Sequence, residues 1–186
     1  MPFTPYHFGP SGFIGLLFRR WIDPVIFVAA NIVVDFEVLF HGDKWAHRVW
    51  HFHTFLIGAA VGALFGAIIY LIKPLRFSIA QCMNFLHIRY QTSLLKMTIA
   101  GSLGACFHVL IDAFYHWDVQ PLWPKRQNPL WHAVNDSWAA DAATKHNIEI
   151  FCLLSFIGVI ILVVLAVLQY NKKQTTKGIP DAISKP

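Results

Sequence analysis

A histidine and an aspartate stand four residues apart in FHVLID, residues 107 to 112. On a helix His108 and Asp112 project one turn apart on the same face, so an imidazole and a carboxylate can grip one cation. A carboxylate near the hydrocarbon of a membrane is unfavourable unless it is paired or bound to a metal. Metal binding and a His–Asp hydrogen bond that only ties helices together are the two alternatives for this pair.

Two further carboxylates occur in NIVVDFEVLF, residues 31 to 40. Side chains two residues apart on a helix point about 200° apart, so Asp35 and Glu37 cannot share one site on a regular helix. Asp35 is stacked one turn above Asn31 and is the better candidate ligand. Glu37 is then expected to be a helix-end residue in water.

Three histidines crowd the segment HRVWHFHTFL, residues 47 to 56. If a helix begins by His47, then His47 and His51 share a face. If it begins near Phe52, His53 stands on the first turn instead. The choice of ligand stays open, and one of the three histidines is expected to be a solvated side chain.

The remaining candidates are more isolated. His7 follows two prolines near the N-terminus, and His146 and Glu149 stand three residues apart at the start of the last apolar run. The whole set consists of imidazoles and carboxylates without thiolates. Such a set suits zinc, and also manganese or iron, in a site of one to three divalent ions. A divalent ion lowers the pKa of bound water to about 7 and so supplies hydroxide at neutral pH. This chemistry predicts a hydrolase.

The composition indicates where these groups are held. The chain is 56% hydrophobic and only 13% charged, whereas a soluble domain is about 45–50% apolar and about 25% charged. Its mean hydropathy is +0.50. We therefore predict an all-α, multi-pass bundle of about four to five membrane-embedded helices with the lipid bilayer as its partner. The basic residues lie between apolar runs, so no nucleic-acid partner is expected.

Three apolar stretches approach or reach the length of about 20 residues that a bilayer requires, namely Thr54–Ile72, Leu94–Phe114 and Glu149–Leu168. Pro24–Phe40 is shorter, and Phe8–Phe18 is too short for an ordinary span. Residues 1–170 are predicted to form one membrane-embedded domain. Residues 171–186 are predicted to form a disordered cytoplasmic tail.

Positive charge predicts the orientation of the spans. Lysines and arginines follow Thr54–Ile72 and Glu149–Leu168, so both of these ends are expected to be cytoplasmic. The other ends then face outward, beside a loop over residues 115–147 that holds four of the seven tryptophans. The polar residues expected at that one depth are His7, Asp35, Glu37, His47, His51, His53, His108, Asp112, His116, His146 and Glu149.

Helix packing is predicted to support this convergence. Gly58, Gly62 and Gly66 form a GxxxGxxxG face that lets two helix backbones approach closely. Phe55–Ile72 and Phe151–Leu168 contain no acidic, basic or histidine side chain. A transport pathway would need such groups, so these spans argue against a transporter.

These motifs resemble the YdjM-like family of inner-membrane proteins, described as membrane-bound metal-dependent hydrolases. The likeness runs from the N-terminus to about Pro124. It comprises the early histidine of PFTPYHFG, the acidic pair 35–37, HRVWHFHT ending in His53-Thr54, and HVLIDAFYHWDVQPLWP with His108 and Asp112. The family often has Asp-x-Asp where this chain has Asp35-Phe36-Glu37, and a different pattern before His53. The order of ligands is also similar to that of the zinc-dependent phospholipase C fold.

The resemblance implies a periplasm-facing site in a prokaryotic inner membrane, with zinc as the leading metal. A phosphoester or lipid-linked ester is the expected substrate, because the predicted depth of the site suits an ester held near the lipid headgroups. Asp35 is expected to bridge metals or to take a proton from water, and His116 to act as an acid or an extra ligand. A non-catalytic metal-binding or assembly protein is the alternative. The implied metal ligands are His7, Asp35, Glu37, His51, His53, His108 and Asp112.

Overall fold

The computed structural model of the chain describes residues 5–41 and 46–177. This part of the chain is helical and contains no strand, which confirms the predicted all-α class. The helices are α1 (Pro5–Leu17), α2 (Pro24–His41), α3 (Phe55–Leu71), α4 (Lys73–Phe85), α5 (Leu94–Tyr115), α6 (Pro129–Val134) and α7 (Trp138–Lys177). A 3-10 turn, Ala46–Arg48, precedes α3.

Polar side chains define where the main helices begin. The carboxylate of Asp23 accepts two backbone N–H groups of the first turn of α2. Thr54 and Ser93 cap α3 and α5 in the same way. Each cap satisfies a backbone donor that has no partner within its helix. The apolar runs predicted from the sequence therefore become α1, α2, α3, α5 and the second half of α7, while α4, α6 and the start of α7 were not predicted.

Two helices are long and apolar enough to cross a membrane, α5 and the part of α7 up to Lys172. The pair α3 and α4, bent by 91° at their junction, counts as a third if it forms one broken span. This is fewer than the four to five helices predicted. Part of the reason is length, because α1 has 13 residues and α3 has 17, whereas a straight span needs about 20.

Helices α3 and α5 approach each other through glycine. A Cβ atom built at Gly62 would overlap the carbonyl oxygen of Gly101, and one at Gly66 would overlap that of Met97. Gly58 meets the carbonyl of Phe52, with its Cβ position 2.6 Å from that oxygen. All three glycines of the predicted face are buried, so the structure confirms that face.

Helix α5 packs as closely on α2. A Cβ atom at Gly104 would overlap the carbonyl oxygen of Phe27. Helix α5 is thus held between α2 and α3, and its buried positions include His108 and Asp112. Close backbone contacts with both neighbouring helices therefore fix the position of α5.

Replacing Gly62 by valine is expected to destabilise the protein by more than the roughly 1–3 kcal/mol of ordinary overpacking, because the obstacle is a backbone carbonyl that cannot rotate away. Thermal unfolding in detergent measures the effect. Ala60→Val is the matched control, since Ala60 is exposed on the same helix. Equal stability of the two variants would contradict the close α3–α5 contact.

Helices α1 and α7 pack together along the other side of the bundle, where a Cβ atom at Gly9 would overlap the carbonyl oxygen of Cys152. Helix α7 continues to Lys177. Residues 171–177 are therefore helical, and the prediction of a disordered tail is wrong for them. Residues 178–186 lie outside the described part of the chain.

Candidate metal centre

Four ionisable side chains from separate parts of the sequence meet at the end of α5. They are Asp35 on α2, His53 just before α3, and His108 and Asp112 on α5. One ligand atom from each lies within 4.8 Å of all the others. We call these four residues the first cluster. The side chains of both histidines are fully buried, while that of Asp35 is 12% exposed.

The ligand atoms of the first cluster face one another at short distances. The Nε2 atom of His108 lies 3.2 Å from Oδ1 of Asp35 and 3.1 Å from Oδ2 of Asp112. The Nε2 atom of His53 lies 3.6 Å and 3.5 Å from the same two oxygens. Both Nε2 atoms are buried and lack a hydrogen-bond partner. Two imidazole nitrogens and two carboxylate oxygens therefore surround a common point, as they do around a divalent cation.

The other nitrogen of each ring has a partner of its own. His53 Nδ1 lies 3.0 Å from Oε2 of Glu37, and His108 Nδ1 lies 3.2 Å from Oδ1 of Asn31. The amide of Asn31 donates to the hydroxyl of Ser11, so its oxygen is directed at the ring. These acceptors keep the ring proton on Nδ1 and leave the Nε2 lone pair for a cation. Histidines that bind metals almost always have such an outer partner.

Glu37 is fully buried, so the prediction that it is a helix-end residue in water is wrong. Its Oε1 accepts the backbone N–H groups of Trp50 and His51, and its Oε2 accepts those of Phe52 and His53. It is not one of the four residues of the first cluster. The carboxylate instead holds the segment 50–53 in place and orients the His53 ring.

The acidic pair of α2 reaches His53 from two sides. Helix α2 is continuous through both residues, and its geometry keeps Asp35 and Glu37 apart, as expected. The ring of His53 lies between them, with Nε2 towards Asp35 at 3.6 Å and Nδ1 towards Glu37 at 3.0 Å. One carboxylate is therefore available to a cation, and the other supports its histidine.

The structure favours His53 over His51 as the ligand. His51 has a φ of 55°, and its ring stacks on Trp123 at a centroid distance of 4.8 Å. His51 does not belong to the first cluster. Helix α3 begins at Phe55 with Thr54 as its cap, close to the start of the predicted run Thr54–Ile72, so none of the three histidines lies on the helix. The turn at His51 brings His53 beneath Glu37, which no helical phase could have shown.

Replacing His53 by alanine is expected to remove the bound metal, whereas His51→Ala should retain it. The reason is that His53, and not His51, directs an unpartnered Nε2 atom into the first cluster. Elemental analysis of the two purified variants measures the difference. Loss of metal from His51→Ala with retention in His53→Ala would reverse the assignment.

His7 adds a fifth buried side chain beside the first cluster. It stands on α1, and its Nε2 atom lies 3.3 Å from Oδ1 of Asp112. Its ring contacts that of His108 at a centroid distance of 4.3 Å. The predicted early histidine is therefore at the site, against Asp112.

A second group of convergent ligand atoms consists of His47, Asp112 and His116, again within 4.8 Å of one another. We call it the second cluster. Burial lowers the pKa of His116 to about 4, so its imidazole is neutral near pH 7. Neither His47 nor Asp118, which lies 2.7 Å from His47 Nδ1, was among the predicted ligands. His47 was one of the three histidines among which the choice of ligand was left open, whereas the only signal for Asp118 was its closeness in sequence to Asp112.

Two other candidates lie away from both clusters. His146 and Glu149 are exposed on α7. The hydroxyl of Tyr115 donates to Glu149 at 3.1 Å. These two residues are therefore exposed polar side chains near the start of the last apolar run and do not join the buried clusters.

The buried His/Asp cluster has the donors and the unpartnered nitrogens to hold a metal ion. Burial by itself lowers the pKa of His53, but the neighbouring carboxylates of Asp35 and Glu37 raise it above its ordinary value. Without a cation, the two carboxylates thus favour a proton on the imidazole between them, so this position attracts positive charge. No protein-family model, curated protein or solved structure matches the chain.

Proposed function

We propose that the protein is a membrane-bound metal-dependent hydrolase of the YdjM-like type. The observation that carries this proposal is the first cluster, in which two unpartnered imidazole nitrogens and two carboxylates face one point. A divalent ion at that point, with zinc the leading choice, would supply Lewis acidity and lower the pKa of water to about 7. Hydrolysis is the reaction class that this chemistry serves most directly.

The residues of the chain have distinct roles in this proposal. His53, His108 and Asp112 hold the ion, while Glu37 and Asn31 keep the two rings in the binding orientation. Asp35 is the most exposed member of the cluster, with 12% of its side chain accessible against 4% for Asp112. It is therefore the group best placed to accept a proton from an incoming water molecule. His116 is neutral, which favours a ligand over an acid.

Exposed aromatic rings beside the cluster support a substrate at headgroup depth. Phe36, Phe40 and Trp50 are exposed, and Phe40 contacts the other two at centroid distances of 6.2 Å and 5.9 Å. Aromatic side chains concentrate at membrane–water interfaces. In this proposal α1, α2 and α3 are also embedded, the cluster faces the periplasm, and the substrate is a phosphoester or a lipid-linked ester.

The test combines metal analysis with hydrolysis by the protein purified in detergent. We expect stoichiometric zinc, manganese or iron, and turnover of a phosphoester from a panel that also includes carboxylesters and lipid-linked phosphates. Asp35→Asn should lower turnover at least 100-fold at saturating metal, which is the scale of general-base catalysis. Glu149→Gln, an exposed carboxylate on α7, is the matched control.

Two results would overturn the proposal. Absence of all three metals, both as purified and after incubation with each ion, would refute a metal-dependent enzyme. Stoichiometric metal without turnover of any member of the panel would favour the non-catalytic metal-binding or assembly protein instead.

A further inference from the structure

We propose that the protein binds the phosphate headgroup of an anionic phospholipid in a basic pocket at the end of the bundle opposite the first cluster. Arg19, which follows α1, and Arg89, which follows α4, line a cavity of about 660 Å³ there. The same two arginines line an adjoining cavity of about 490 Å³ together with Arg20 and Lys96. We call these two cavities the basic pocket.

The basic pocket lies where two candidate membrane spans end. Lys96 is in the first turn of α5, and Tyr170, which lines the larger cavity, is near the end of the apolar part of α7. Lys96 and His108 are twelve residues apart on α5, about 18 Å along the helix axis. A lipid bound in the pocket is therefore distinct from the substrate of the proposed hydrolase.

Exposed apolar side chains beside the pocket place it at the depth of lipid headgroups. Helix α4 is bent by 91° from α3 and exposes Phe77 and Phe85. It also carries Lys73 and Arg76 and no acidic residue, a composition typical of helices that lie in the membrane interface. Trp21 is exposed and lines the smaller cavity, and tryptophan is enriched at such interfaces.

The positive charge of the pocket is not neutralised by the residues that the structure describes. Among them, neither Arg19 nor Arg89 forms an ion pair, and no acidic residue lines either cavity. Asp23 is buried, and its carboxylate accepts hydrogen bonds from two backbone N–H groups and two hydroxyl groups. Two guanidinium groups thus keep N–H donors for an anion, and arginine binds phosphate through two parallel hydrogen bonds.

The backbone around the two arginines is held in place by other contacts. The ammonium group of Lys96 donates to the carbonyl oxygens of Arg19 and Gln91 at 3.0 Å and 2.7 Å. The loop that carries Arg89 is tied to the start of α2, because Asp23 accepts hydrogen bonds from two hydroxyl groups of that loop. Such preorganisation reduces the entropy that is lost when a ligand binds.

His87 lines the larger cavity with a backbone conformation that usually favours glycine. Its φ is 55°, in the left-handed region. It ends α4 in a Schellman motif, in which the N–H of His87 donates to the carbonyl oxygen of Asn84 and that of Ile88 donates to Met83. The imidazole stacks on the ring of Tyr170 at a centroid distance of 4.0 Å. A histidine here therefore supplies a wall between α4 and α7 that glycine would lack.

The uncharged lining of the larger cavity indicates the class of headgroup. Asn84 and Gln169 lie beside the two arginines, and their amides can form hydrogen bonds with the hydroxyl groups of glycerol. A headgroup with an ammonium group would meet arginine and no carboxylate of the described lining. Phosphatidylglycerol is therefore favoured over phosphatidylcholine.

The experiment measures lipid binding by the full chain in detergent without added metal. Phosphatidylglycerol and phosphatidylcholine are titrated separately, and bound lipid is recorded by native mass spectrometry. We expect tighter binding of phosphatidylglycerol. Arg19→Gln and Arg89→Gln should each lower its affinity about 10-fold or more, the scale of losing a hydrogen bond to a charged group. Arg126→Gln, which removes an exposed arginine between α5 and α6, is the matched control and should bind as the wild type does.

A second variant separates binding from folding. His87→Gly suits the left-handed backbone, so it should keep the thermal unfolding temperature of the wild type. Its affinity for phosphatidylglycerol should fall, by a smaller factor than in the arginine variants, because the wall of the cavity is lost.

Three results would overturn the lipid site. They are equal affinity for the two lipids, an equal loss of affinity in Arg126→Gln, and protection against thermal unfolding by inorganic phosphate that matches the protection by phosphatidylglycerol. The last result would assign the pocket to a free phosphate. Since no metal is added, each of them leaves the proposed hydrolase untouched, and failure of the metal analysis leaves the lipid site untouched.

Discussion

Replacing His108 by alanine is expected to abolish metal binding at the first cluster. Loss of an outer partner alone weakens a metal site about 10–100-fold, and this substitution removes a ligand whose Nε2 atom lies 3.2 Å and 3.1 Å from two carboxylates. We therefore expect a loss of more than 100-fold in affinity. Elemental analysis and titration of the stripped protein measure it.

The same substitution is also expected to destabilise the protein without metal. Asp35 and Asp112 would face each other across the space left by the ring, and breaking a buried charged pair typically costs about 3–5 kcal/mol. His146→Ala, which removes an exposed histidine from α7, is the control for both measurements. If His108→Ala loses stability but keeps its metal, the His–Asp pair only ties helices together.

Glu37→Gln is expected to destabilise the protein by about 3 kcal/mol or more. The carboxylate accepts four backbone N–H groups, two on each oxygen. An amide would turn an NH₂ group towards two of those donors, and each hydrogen bond to a charged group contributes about 1.5–3 kcal/mol. Chemical unfolding in detergent measures the change in free energy of unfolding.

Metal affinity should fall in Glu37→Gln as well, because the amide cannot hold the His53 ring as the carboxylate does. The control is Glu149→Gln, the other glutamate of the chain, which is exposed and should change stability by less than about 0.5 kcal/mol. A Glu37→Gln protein as stable as the wild type would show that the turn over residues 50–53 is held by other contacts.

The sequence alone determined the parts of this protein that depend on local patterns. Apolar runs predicted α2, α3 and α5 to within one residue at each end, because a continuous apolar run is a local property of the sequence. The spacing of His108 and Asp112 placed both on one face, and the glycine face of α3 predicted a close helix contact without showing which helix makes it.

Only the tertiary structure decided the roles of the residues between helices. The choice of His53 over His51, the burial of Glu37 and the pairing of His47 with Asp118 all depend on the turn over residues 46–54 and its contacts with distant segments. Such a turn has no periodicity that the sequence could reveal. Its conformation is selected by hydrogen bonds from its backbone to the buried carboxylate of a distant residue, Glu37. A local pattern can bring a side chain to the correct depth, but the neighbouring helices determine whether it binds a cation or supports a ligand that does.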